Sequence, residues 1–167
     1  STSDSSFNSV AVGHGNGNID TNTVVGYQNL NANSTGFQNV AVGYQNLYTN
    51  TTAESNVAVG YQNLYENTVG TYNTAIGQLS LYSNTSGTLN VSIGNESLYL
   101  NKTGIENVAI GGLSNRNNVD SINNTSVGSL SLIDNTSGND NSAFGRYSGL
   151  GGNGSYCTYI GSNSGQQ

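Results

Sequence analysis

The sequence predicts an all-β fold, a β-solenoid (β-roll) of 17-residue coils. Three observations lead there. A glycine closing a short apolar run recurs at Gly26, Gly43, Gly60, Gly77, Gly94, Gly111, Gly128 and Gly145, always seventeen residues on. A disordered chain has no reason to hold that phase. The residue before each glycine is apolar and mostly β-branched, and the one before that is mostly small, an alternation with the period of a strand. The third observation is composition. Charged residues make up 7% against the usual ~25%. Gly numbers 23 and Pro is absent, which suits neither helices nor Pro-rich linkers.

Within one unit, Asn73-Thr74-Ala75-Ile76 reads as a short strand with Ile76 on one face and Ala75 on the other. Gly77 then bends the chain. Leu81-Tyr82 reads as a second short strand, Leu inward and Tyr outward, and Asn84-Thr85-Ser86-Gly87 is turn sequence. Each coil is therefore expected to hold two strands and two corners. Such a coil cannot fold alone, and stacking completes its sheets. Asparagine recurs four residues before the glycine (Asn39, Asn56, Asn73) and seven after it (Asn50, Asn67, Asn84). Stacked about 4.8 Å apart, such amides bond into ladders.

Val42, Val59, Ile76, Ile93 and Ile110 are expected as one buried stack. The small column Ala41, Ala58, Ala75 and Ala109 is then the seam where another chain approaches, because so thin a core calls for self-association. The chain reads as one repeat domain over 1–167. Regular coils span about 22–145, with atypical end units at 1–21 and 146–167.

The units Asn39-Val40-Ala41-Val42-Gly43, Asn73-Thr74-Ala75-Ile76-Gly77 and Asn107-Val108-Ala109-Ile110-Gly111 resemble the head repeat of trimeric autotransporter adhesins. The string Asn56 to Asn67, with Gly60-Tyr61-Gln62-Asn63-Leu64-Tyr65, resembles repeats of bacteriophage tail-fibre proteins. The resemblance covers residues 9–165. It implies a homotrimer with a left-handed β-roll, serving as a fibre shaft or a binding head.

The residues offer little for catalysis. Net charge is −6 with three basic residues, which excludes nucleic acid as a partner. No apolar run approaches the ~20 residues of a membrane span. The lone Cys157 cannot form an intrachain disulfide or a cysteine zinc site. The single histidine, His14, sits in Gly13-His14-Gly15 with no ligand partner nearby in sequence. The acids share no column, so no regular calcium array is expected. No enzyme activity, cofactor or metal is expected. The chain opens on Ser1 with no initiator Met, as a processed product or an excised segment would.

Surface contact is the remaining chemistry. The repeat degrades near its ends, where Gly17, Gly149 and Gly165 replace the inner Leu. The segment 145–167 carries Arg146, Tyr147, Tyr156 and Tyr159, the first candidate contact set. The alternative is a flank strip, Tyr48, Tyr65, Tyr82 and Tyr99, which would stack on sugar rings or pack within the solenoid. Sequons at Asn33, Asn50, Asn84, Asn101 and Asn135 fall in one corner column, read as exposed and open to glycans, or as good turn sequence only. The expected protein is an extracellular, cell-surface or virion fibre segment. Its partners would be two copies of itself and a cell-surface glycan or protein receptor. A self-assembling filament subunit and an ice-binding solenoid are the alternatives.

Overall fold

The computed structural model describes residues 5–7 and 10–165, and among them every regular element is a strand. The strands are β1 (Ser5–Phe7), β2 (Val10–Gly13), β3 (Thr23–Tyr27), β4 (Val40–Tyr44), β5 (Val57–Tyr61), β6 (Thr74–Gln78), β7 (Val91–Ile93), β8 (Val108–Ile110), β9 (Thr125–Val127), β10 (Ser142–Phe144) and β11 (Thr158–Ile160). They form one sheet in sequence order. From β3 to β10 the strands pair in parallel with partners seventeen residues apart, as Val42 with Val59 and Val59 with Ile76. The last step is one shorter, Phe144 pairing with Ile160. This is the β-solenoid that the period predicts. β1 and β2 depart from it: β1 pairs antiparallel with β2, and β2 antiparallel with β3. Gly13 precedes Gly26 by thirteen residues, too few for a full circuit. Of the two end units, residues 1–4, 8–9 and 166–167 lie outside the described residues.

Each coil holds one strand, not two. After the glycine, Gln45 and Leu47 take left-handed conformations (φ 52° and 51°), which a pleated strand does not admit. Coils stay bonded there all the same: the Leu47 N–H donates to the Asn63 carbonyl at 3.0 Å, and the Thr49 N–H to that of Tyr65 at 3.1 Å. A third left-handed position precedes the strand, at Gln38, Ser55, Tyr72, Leu89 and Glu106. None of these columns carries Val, Ile or Thr at a left-handed position, as expected of side chains branched at Cβ.

The faces of the strand are the reverse of the expectation. Ala41, Ala58, Ala75 and Ala109 are wholly buried inside the coil, and Leu30, Leu47, Leu64, Leu81, Leu98 and Leu132 stack beside them. The Val/Ile column points outward and is half-exposed, with Ile76 and Ile110 each 37% accessible and Phe144 43%. Volume decides this. The inward Leu and two amide columns fill so narrow a coil, and a methyl or hydroxymethyl group is what remains to be accommodated. The Ala side chains are therefore core and cannot be a seam between chains.

Three polar ladders complete the interior. Asn56 accepts from the Asn73 N–H at 2.9 Å, and its amide donates to the Gly70 carbonyl at 2.9 Å. Asn50 donates to Asn33 Oδ1 at 2.8 Å, and Asn84 to Asn67 Oδ1 at 2.8 Å. The third ladder lies three residues after the glycine and is not among the columns expected from the sequence. It begins as Asn29, Asn46 and Asn63 and continues as Ser80, Ser97, Ser114, Ser131 and Ser148, all buried. Two steps of the change are compensated: Ser92 and Ser126 replace Ala on the strand and meet Ser80 and Ser114 at 2.6 and 2.7 Å.

Asn115 stands in the Leu column between Leu98 and Leu132, buried, with no hydrogen-bond partner for Oδ1 or Nδ2. Its φ of 48° equals that of Leu98, and Ser114 lies beside it as Ser97 lies beside Leu98. Asn115→Leu is expected to stabilise the chain by about 2–4 kcal/mol, from apolar burial and removal of an unpaired amide. Urea unfolding checks this, and an unchanged or lower midpoint would contradict it.

Candidate interaction surfaces

The outer face of the parallel sheet carries two adjoining columns. One is Val42, Val59, Ile76, Ile93, Ile110, Val127 and Phe144. The other, two residues earlier, is Val40, Val57, Thr74, Val91, Val108 and Thr125. Strand pairing holds both in register, so they form one apolar band along the solenoid. Contiguous exposed apolar surface of this kind makes the band a candidate for contact.

The flank strip forms, but as packing within the chain. Tyr48, Tyr65, Tyr82 and Tyr99 stack with centroids 4.9, 5.1 and 5.3 Å apart and planes within 16°. Their faces are turned to one another, which leaves edges and hydroxyls to solvent and no free face for a sugar ring along the stack. The Arg116 guanidinium lies 4.9 Å from the Tyr99 centroid and pairs with Glu96 at 2.7 Å, so it caps the stack. Burial first, then the Tyr48 phenol, Glu66 and Tyr44, push the Tyr65 phenol above the usual tyrosine value. Burial, followed by Glu66 and neighbouring tyrosines, does the same to Tyr82. A second stack, Tyr27, Tyr44 and Tyr61, runs beside a ladder in which Gln45 donates to Gln28 at 2.7 Å and Gln62 to Gln45 at 2.8 Å.

The C-terminal candidates do not converge. Arg146 is exposed, and its guanidinium lies 4.3 Å from the Tyr147 centroid. Tyr156 is 84% exposed and precedes β11, whereas Arg146 and Tyr147 follow β10, so they flank opposite ends of neighbouring strands. Tyr159 turns inward. A Cβ on Gly149 would lie 2.8 Å from its ring and one on Gly165 only 2.2 Å, so the ring fills the room those glycines leave. Tyr159 is thus a plug for the last coil rather than a contact residue. Its hydrogen bond with Cys157, then burial, raise its phenol above the ordinary value.

The sequon corner is interior rather than exposed. Asn33, Asn50, Asn84, Asn101 and Asn135 are buried ladder residues. His14 Nδ1 lies 2.9 Å from the Asn22 carbonyl. No pocket opens among the described residues, and none of their His, Cys, Asp and Glu side chains cluster as a metal site. No helix among them is long and apolar enough to cross a membrane. Comparison with protein-family models, curated proteins and solved structures finds no match.

Proposed function

We propose that this chain is a shaft or head segment of a trimeric fibre, of the phage tail-fibre or bacterial adhesin kind, that contacts a host or partner surface. The observation that carries this is the apolar band of Val, Ile and Phe on the outer sheet face, unpartnered in the single chain. Packing three such faces about a common axis covers the band and leaves the Tyr and Gln flanks and the corners outside. The seam is thus Val59, Ile76 and Ile93 rather than the alanines. Side-chain packing also leaves the sheet edges unpaired, so the fibre grows by coil number within each chain. A filament made by parallel head-to-tail stacking has less support, because β1 and β2 run antiparallel at the N-terminal edge.

Sedimentation equilibrium tests the seam. The parent is expected at three chain masses. Ile93→Arg is expected at one, with its β circular-dichroism signal retained, since its side chain already reaches solvent. Thr52→Arg, at an exposed corner, should leave the trimer intact. A monomeric parent removes the proposal. The ice-binding reading uses the same face, where Thr74-Ala75-Ile76 and Thr125-Ser126-Val127 set Thr beside an apolar residue. Thermal hysteresis from a monomer would favour it, and a stable trimer that buries the band would not. Given a trimer, binding to a glycan array or target cells tests the surface role.

A further inference from the structure

The asparagine ladders coincide with sequence sites for N-linked glycosylation. The sequence holds ten Asn-x-Ser/Thr sequons, at Asn33, Asn50, Asn84, Asn90, Asn95, Asn101, Asn123, Asn124, Asn135 and Asn153. Only Asn95, Asn123 and Asn153 are exposed. The other seven are buried in the two Asn columns. Their amides are committed: Asn84 Nδ2 donates to Asn67 Oδ1 and the Gly87 carbonyl at 2.8 and 3.0 Å. Asn101 Nδ2 donates to Asn84 Oδ1 and the Gly104 carbonyl at 2.9 and 3.2 Å. Asn90 Nδ2 donates to Asn73 Oδ1 and the Gly104 carbonyl at 3.1 and 2.8 Å.

Glycosyl transfer forms a bond between the sugar C1 and the asparagine Nδ2. The lipid pyrophosphate leaves from C1, and Nδ2 gives up one proton. The product keeps one N–H where the ladder uses two, and a bulky, hydrated glycan would occupy space that is closed in the fold. Sequons are met by the transferase while the chain is still extended, so burial in the finished coil gives no protection. We propose that this chain folds only where N-linked glycosylation does not reach it unfolded, and that a secretory route with an oligosaccharyltransferase is closed to it. The proposal is independent of what the finished fibre binds.

The test directs the full chain through the secretory pathway of cultured animal cells, with and without tunicamycin, beside a chain made in the bacterial cytoplasm. Glycan occupancy by mass spectrometry, β circular dichroism and protease resistance are read on each. Without the inhibitor, glycans on the ladder columns and loss of both folding signals are expected. With it, the chain should match the cytoplasmic product. A variant carrying Thr35→Ala, Thr52→Ala, Ser86→Ala, Thr103→Ala, Ser137→Ala, Ser92→Ala and Ser126→Ala removes the seven buried sequons and keeps every ladder asparagine. The first five positions are exposed, and the last two receive the Ala of other coils. This variant is expected to emerge folded without the inhibitor, glycosylated at surface sequons alone. A parent that emerges folded, whether modified on the ladders or not, overturns the proposal. So does a parent that stays unfolded under tunicamycin, because the block then lies elsewhere.

Discussion

Gly60→Ala is expected to cost more than about 3 kcal/mol and to shift the urea midpoint well below that of the parent. Gly60 sits at φ 132°, where a side chain is strained at about 1–3 kcal/mol. The larger obstacle is the next coil. A Cβ at Gly60 would lie 1.9 Å from the Gly77 carbonyl oxygen, and the same contact repeats at Gly43 against Gly60 at 2.0 Å. The obstacle is backbone, so no rotamer change relieves it. The coils must part, which breaks the parallel pairing between Ala58 and Ala75 and the hydrogen bonds around it, each worth about 1 kcal/mol net. Gly112→Ala is the control. A Cβ there meets nothing within 4 Å, and its φ is not in the left-handed region. Its effect should stay within about 0.5 kcal/mol, as for other unencumbered surface changes. Equal midpoints for the two variants would show that the recurring glycine marks sequence habit rather than coil contact.

The recurrence of that glycine makes the period, a strand at Thr74–Ile76 and two of the three polar ladders legible in the sequence, but not the strand's continuation through Gly77 to Gln78, where a bend is expected. Which way the strand faces is not legible either. A ranking by hydrophobicity places Val42 and Ile76 inside and Ala41 and Ala75 outside, and it fails because the coil interior is limited by volume. Asn39 could have indicated the correct face. It lies two residues before Ala41, and side chains two apart on a strand share a face, so a ladder asparagine turned inward takes the alanine with it. The pairing of Ser80 with Ser92 and of Ser114 with Ser126 is a second signal, since each hydroxyl is inward only if its partner is.

The supposed second strand failed for a local reason. Leu47 and Tyr48 have strand-like character as residue types, yet the left-handed backbone at Gln45 and Leu47 follows from the circuit that must be closed. The absence of Val, Ile and Thr from the two columns that follow the glycine, those of Gln45 and Leu47, is the readable trace. The sequon column misled because Asn84-Thr85-Ser86-Gly87 is also good turn sequence. Turn chemistry describes neighbours along the chain, whereas the Asn84 amide reaches Asn67 in the coil before it. The Tyr strip was legible as a strip. Its use as a sugar platform was not supported, because coils stacked in register bring the rings face to face.

If the amide ladders hold the coils together, Asn73→Asp should be severely destabilising at neutral pH and should recover in acid. Asn73 is fully buried. Its Oδ1 accepts from the Asn90 N–H and Nδ2 at 3.0 and 3.1 Å, and its own Nδ2 donates to the Gly87 carbonyl at 2.8 Å. Aspartate keeps the acceptor and loses the donor, leaving a charged oxygen facing the Gly87 carbonyl oxygen inside the coil. An unpaired buried charge costs at least ~3 kcal/mol, enough to unfold a marginal chain. Burial raises the folded-state pKa of such a carboxyl above the ~3.9 of the unfolded chain. The sign of the pH dependence follows. Below about pH 3.9 both states are protonated and the penalty is smallest, because a neutral carboxyl can donate to Gly87 as the amide did. As pH rises past that value the unfolded state ionises first, so the variant loses stability relative to the parent until the folded-state pKa is passed. Asn73→Ala, which strands the Gly87 carbonyl and the Asn90 N–H without adding a charge, should be destabilised by about 2–5 kcal/mol with no such pH trend. Stability differences from the parent, measured by urea unfolding at pH 3.5 and pH 7, separate the two. An Asp variant with the same deficit at both pH values would mean that the carboxylate reaches solvent and that the ladder opens without disrupting the fold.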